Sequence, residues 1–222
     1  MIKASTLKFI KDLEKNNNKP WFEANRNKYE NAKADFEQFV QEIIDKHGKN
    51  DPDIATLTAK QTTFRINRDV RFSKDKSPYK NNMGSYMARG GKKSIFAGYY
   101  FHCQPGKSFA GGGLWMPQPA DLSRVRQEID YNLDEFKSIV ESRKFRSVYG
   151  GLSNDPEYTL TRVPKGFEAD NPAAPYLKYK SYVALAPITN AELTSKEGEK
   201  KIVKAFETLQ PLIAFLNRGL SD

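Results

Sequence analysis

Between residues 63 and 80 the chain reads Thr-Phe-Arg-Ile-Asn-Arg-Asp-Val-Arg-Phe-Ser-Lys-Asp-Lys-Ser-Pro-Tyr-Lys. Phe64, Ile66, Val70 and Phe72 share one parity, Arg65, Asn67, Asp69 and Arg71 share the other, and Arg68 breaks the pattern. A strand repeats its side-chain direction every two residues, so this alternation predicts a β-strand with the four apolar residues on a core. Its opposite face would carry two guanidiniums, a carboxamide and a carboxylate, a polar row able to hold an anion or do proton chemistry. The segment from Ser73 to Pro78, with Asp75, Ser77 and Pro78, has the chemistry of a turn.

The same region holds the excess charge. From residue 60 to 120 there are eleven basic side chains against two acids, Asp69 and Asp75, which accounts for the whole formal net charge of +9. Charge segregated in this way sets up a positive field over one part of the surface and implies anionic partners. A solvated basic face opposite an acidic one is the plainer alternative.

The 222 residues suffice for one well-cored domain, and neither an internal repeat nor a low-complexity linker divides them, so residues 1–222 are read as one domain. No signal peptide or membrane-spanning run is evident, and the single cysteine, Cys103, excludes an internal disulfide. A cytoplasmic protein is expected.

Helical periodicity predicts a first helix bearing Leu7, Phe9, Ile10 and Leu13, and a second over 20–47 that stops at Gly48 and buries Tyr29, Ala32, Phe36, Phe39, Val40, Ile43 and Ile44. Residues 83–89, 94–104 and 107–115 read as three strands joined by turns at Gly90-Gly91 and Pro105-Gly106. In the middle one Tyr99, Phe101 and Cys103 face one way, and Tyr100, His102 and Gln104 the other. The glycine triplet Gly111-Gly112-Gly113 signals a bulge or a close backbone approach. Helices follow, the second opening on a capping box from Asn132 to Glu135. Residues 145–164 look irregular and strand-like, 181–186 form one more strand, and a second box at 194–197 opens a last helix that Pro211 should kink. The fold class is α+β: a mostly antiparallel sheet covered by long N-terminal and C-terminal helices.

Four stretches resemble an uncharacterised bacterial and fungal family of conserved hypothetical proteins, DUF2461. They are residues 16–26, the signature over 65–80, the segment from Tyr99 to Trp115 with its glycine triplet, and residues 209–217. The resemblance implies a single domain mixing helices and strands and brings no activity with it.

Familiar chemistries are excluded in turn. Gly106-Lys107-Ser108 lacks the earlier glycine and the following helix of a phosphate-binding loop. His102 and Cys103 point to opposite faces of a strand, and His47 stands at a helix end, so neither a metal site nor a cofactor is indicated. What remains is an anion site built from Arg65, Asn67, Arg68, Arg71, Lys76, Tyr79, Lys80 and Tyr100, with His102 and Asp69 as candidate catalytic acid or base. Arg65, Arg71 and His102 are expected to converge on one pocket, with Asp69 orienting them. The ligand would be a small phosphorylated or carboxylated molecule. A structural network in which Asp69 and Asp75 pair with neighbouring cations stays open beside it. So do unspecific nucleic-acid binding, with Lys74, Lys76, Lys80, Arg89, Lys92 and Lys93 on phosphates and Tyr79, Tyr86 and Tyr99 stacking, and a scaffold for an acidic protein partner. No membrane partner is expected.

Overall fold

The computed structural model describes residues 1–221. The chain opens with α1 (Ala4–Lys15), α2 (Lys19–Ala24) and α3 (Arg26–His47), then the single turn α4 (Ala59–Thr62). Strands β1 (Met83–Ala88), β2 (Gly98–Cys103) and β3 (Ser108–Leu114) follow. A helical excursion, α5 (Pro119–Tyr131), α6 (Leu133–Val140), α7 (Arg143–Tyr149) and α8 (Ala174–Leu177), precedes β4 (Tyr182–Ile188), and α9 (Asn190–Leu193) and α10 (Lys196–Arg218) close the chain. The four strands lie in sequence order, every pair antiparallel. The α+β class and the antiparallel sheet are as expected, and no helix among the described residues is long and apolar enough to cross a membrane.

One face of the sheet is buried under α3 and α10. Phe101 on β2 stacks on Phe36 at 5.6 Å and meets Phe39 edge-on at the same distance, while Tyr99 packs on Phe206 at 4.9 Å. Asn217 of α10 clasps Ala97 from both sides, accepting its N–H at 2.7 Å and donating to its carbonyl at 3.2 Å. That pairing satisfies backbone groups just ahead of β2 and fixes the helix to the sheet. The glycines of β3 answer a steric demand. Gly113 has φ +118°, and a Cβ there would lie 1.9 Å from the Tyr182 carbonyl oxygen of β4.

The strand predicted over 64–72 does not form. Thr63 bridges Ser85, and the Phe64 N–H reaches the Gly84 carbonyl at 2.9 Å, but there the pairing with the sheet ends. The segment folds back on itself instead, with Arg68 N–H on the Pro78 carbonyl at 2.9 Å and Lys80 N–H on the Ile66 carbonyl at 2.8 Å. Arg68, the residue that broke the alternation, is the reason. Its half-buried guanidinium bonds Asp75, the Ser77 carbonyl and Ser73, closing a loop over 69–77. Of the four apolar residues only Ile66 is buried. Phe64 is 38% exposed and Phe72 96%.

Local signals were overridden elsewhere too. Asn25 breaks the helix predicted over 20–47 into α2 and α3, its side-chain amide donating to the Trp21 carbonyl at 2.9 Å. Residues 145–149 are helical, in α7, which Ser142 caps and Gly150 ends at φ +74°. The box predicted at Asn132 is not made, because Asn132 turns back to Glu128 and Glu135 is held by Arg218. A capping box forms at Thr189 and Glu192, and α10 takes Ser195 as its cap and continues past Pro211.

Candidate functional site

Residues directly opposite in an antiparallel ladder share a face. The strand register therefore puts Tyr86, Tyr100, Gly111 and Leu185 in one row of the second sheet face. Gly84, His102, Phe109 and Pro187 form the next row, and Ala88, Gly98, Gly113 and Val183 a third. Glycine occupies a position in every row, and Tyr86, Tyr100, His102, Phe109, Gly113, Val183 and Leu185 of this face floor a groove of about 810 Å³. Ile95 and Phe96 from the β1–β2 connection line it, as do Trp115, Met116 and Tyr158, the last two aromatic rings meeting edge-on at 4.7 Å. Trp115 is 56% exposed and Ile95 51%. Large, exposed and mainly apolar, such a concavity is where ligands bind.

Polar groups gather at one end of the floor. His102 lies between Tyr100, whose hydroxyl is 3.2 Å from its Nδ1, and Gln104, whose Oε1 is 3.0 Å from its Nε2. With Gln104 as acceptor, Nε2 carries the proton and Nδ1 accepts from Tyr100. Burial lowers the His102 pKa, with the Gln104 bond opposing, and pushes the Tyr100 hydroxyl up to about 12. Both are therefore neutral at pH 7: an imidazole stacked on Phe109 at 4.7 Å, and a phenol that donates. Tyr86 is tied by its hydroxyl to the Phe96 carbonyl at 2.8 Å.

The other nominated residues lie in and beside the loop, away from this floor. Arg71 makes a two-pronged pair with Asp69, at 2.9 and 2.7 Å, on an exposed surface, and this bonding holds the Asp69 carboxyl below its ordinary range. Asp75 is held at about 2, first by the Ser77 hydroxyl, then by the Ser77 N–H and by Arg68. Lys76 donates to the Val70 carbonyl at 3.0 Å. Asn67 bridges Tyr79, whose buried ring stacks on Phe22 at 4.0 Å and whose backbone N–H and carbonyl both bond the Asn17 side chain. The convergence of Arg65, Arg71 and His102 is thus not formed: Arg71 and Asp69 satisfy each other in the loop, while His102 and Tyr100 stand in the groove. Nor can the tyrosines nominated for stacking serve, since Tyr79 and Tyr99 are buried and Tyr86 is tethered.

Arg65 and Lys80 differ from the rest. Among the described residues no carboxylate forms a salt bridge or hydrogen bond with either. The Lys80 ammonium lies 5.3 Å over the ring of Phe64, and Phe64 lines the groove and meets Tyr100 edge-on at 6.4 Å. Burial first, and the Arg65 charge second, lower the Lys80 pKa. The Lys80 ammonium thus stands at the Phe64 end of the groove without a salt-bridge partner among the described residues, and the Arg65 charge acts both on it and on Asp69. Lys80 also borders a smaller hollow of about 390 Å³ beside Arg68, Tyr79 and Asn17.

The sequence reading missed the lining residues Phe64, Phe109, Trp115, Tyr158 and Leu185. A usable signal existed for one of them: Phe109 shares parity with Gly111 and Gly113, so an aromatic followed by two side-chain gaps on one strand face marks a floor beside a wall. Among the described residues there is no cluster of metal-ligating side chains. Neither the curated proteins nor the solved structures contain a match to the chain. A family profile, however, matches residues 5–215, nearly its whole length, and the chain belongs to that family, the conserved hypothetical proteins DUF2461.

Proposed function

We propose that the protein binds a small organic anion, with the acidic group of the ligand between Arg65 and Lys80 and its apolar or aromatic body along the groove floor. The observation that carries this is the Lys80 ammonium over Phe64, free of any salt bridge among the described residues and within reach of the Arg65 charge, beside an apolar groove of about 810 Å³ that Phe64 lines. Two cations held near one another repel. A phosphate or carboxylate placed between them relieves that repulsion and gains charge-assisted hydrogen bonds, each about twice as strong as a neutral one. The arginine fork suits two oxygens of one acid group, and the lysine adds a point charge. Tyr100, whose proton goes to His102, then offers its hydroxyl oxygen as an acceptor to the ligand body.

Anilinonaphthalene sulfonate, an aromatic anion whose emission rises in apolar surroundings, tests both halves. Saturable binding to the folded protein is expected, weakened about tenfold or more when Arg65 and Lys80 are both changed to Gln. Leu185→Glu, which fills the floor and sets a negative charge against the anion, should abolish it. Undiminished binding in both variants, each with unchanged melting temperature, would overturn the proposal.

A further inference from the structure

The loop over 69–77 carries a feature that a ligand in the groove leaves unused. Phe72 is 96% exposed, the most exposed large apolar side chain of the molecule among the described residues. A chance surface aromatic on a slack loop would mean little. This loop is braced, however. Arg68 bonds three groups across it, Asp75 accepts from both the hydroxyl and the N–H of Ser77, and Lys76 reaches back to the Val70 carbonyl. The frame holds Phe72 outward, with the Arg71 guanidinium 5.9 Å from its ring centre.

The charge around it is not confined to the tip. Segment 63–65 runs beside β1, the edge strand of the sheet, and Lys92 of the β1–β2 connection donates to the Thr63 carbonyl at 2.7 Å. Along the chain Arg71 and Lys74 precede this edge strand and Arg89, Lys92 and Lys93 follow it. Six residues of strand put about 20 Å between its ends. From residue 76 to 120 the sequence has no carboxylate, and in the loop itself Asp69 pairs with Arg71 and Asp75 with Arg68.

We infer that this edge is a contact surface for single-stranded nucleic acid, in which Phe72 stacks on a base and the cations follow the phosphates. An exposed ring beside a guanidinium is a stacking platform that accepts any base, and a basic track of this length spans several nucleotides. Insertion into a membrane is the less fitting alternative, because Phe72 stands alone: its neighbours Arg71, Ser73 and Lys74 are polar, and the cations extend along the edge away from the tip.

The test is anisotropy of the full chain with a labelled oligothymidine of about twenty nucleotides at low salt, repeated with the duplex of the same length and with phosphatidylglycerol vesicles. Binding is expected at about 50 mM salt and should fall tenfold or more by about 200 mM. Phe72→Ala should weaken it about tenfold with an unchanged melting temperature. Phe72→Trp should retain it, and the emission of the introduced indole should be quenched by the oligonucleotide. The inference is overturned by absence of binding at low salt, by equal affinity for duplex and single strand, by a Phe72→Ala variant that binds like the parent, or by an indole that shifts to the blue on vesicles but ignores the oligonucleotide.

Discussion

Tyr99 and Tyr100 are successive residues of β2, and what surrounds them differs in almost every respect. Tyr99 is 1% exposed, wedged between His47 and Phe206, with its hydroxyl 2.5 Å from a carboxylate oxygen of buried Asp51. Tyr100 is half-buried on the opposite face, bonded to His102 and bordered by an open groove. The pleat produces both from one strand. One parity supplies Tyr99, Phe101 and Cys103 to a core sealed by α3 and α10, and the other supplies Tyr100 and His102 to a floor that no helix closes. Stability and binding are thereby assigned to alternate residues of the same segment, so substitutions one position apart should separate them.

The largest difference is expected between Phe101 and Phe109. Phe101 is fully buried against two helices, and Phe101→Ala should cost about 3–5 kcal/mol in chemical denaturation. Phe109, half-buried on the groove face, should cost about 1 kcal/mol as alanine while weakening any ligand of the floor. Equal losses would mean that the groove face is packed as a core is.

A smaller effect separates the two hydroxyls. Tyr99→Phe leaves the buried Asp51 carboxylate short of a donor and should cost about 1.5–3 kcal/mol, since hydrogen bonds to charged groups lie in that range. Thermal unfolding of the variant beside the parent measures it, and a loss of only a few tenths would show that Asp51 recruits another donor.

The two histidines extend the comparison to pH. His47 ends α3 as predicted and turns its ring into the core, where neither nitrogen has a hydrogen-bond partner among the described residues and the ring meets that of Tyr99 edge-on at 4.6 Å. Desolvation lowers its pKa, against the opposing charges of Asp51 and Glu207. A base with a depressed folded pKa leaves stability intact above the unfolded value near 6.5 and loses it as pH falls from there toward the folded value, because only the unfolded chain accepts the proton. Stability should therefore decline as pH falls below the ordinary histidine value of about 6.5, and His47→Leu should flatten that decline. His102 is lowered as well, but it keeps the Gln104 acceptor, so His102→Leu should flatten it less.

How much of this was legible follows from what each pattern measures. The parity of β2, the apolar faces of α1, α3 and α10, and the meander of three strands come from periodicity under burial, and those elements are as the sequence reads. Residues 64–72 carry the same alternation without being a strand, because a strand also needs a ladder partner. Here Arg68 finds better partners in Asp75, Ser73 and the Ser77 carbonyl, which the pattern of apolar residues does not encode. The candidate site divides the same way. Tyr100 and His102 were placed correctly on one face, whereas the groove depends on what lies opposite the glycines, Gly113 against Gly98, Tyr100 against Gly111 and His102 against Gly84, a matter of register that only the paired strands reveal.

The smallest expected effect is the most informative about the open face. Tyr100→Phe removes one half-buried hydroxyl, and the ring remains over Gly84 and against Phe109, so folding stability should change by less than about 1 kcal/mol. His102 nevertheless loses the donor that engages its Nδ1, while Gln104 still accepts from Nε2. The tautomer with the proton on Nε2 then persists, with Nδ1 free to accept from water or ligand. The hydrogen bond from Tyr100 stabilises the neutral ring, so its removal should raise the His102 pKa toward the ordinary value. Nitrogen chemical shifts of the imidazole across a pH titration report both quantities at once. An unchanged pKa together with a switch of the proton to Nδ1 would show that Tyr100, and not Gln104, fixes the ring. The groove would then present Nε2 to its ligand, at the Gln104 end of the floor.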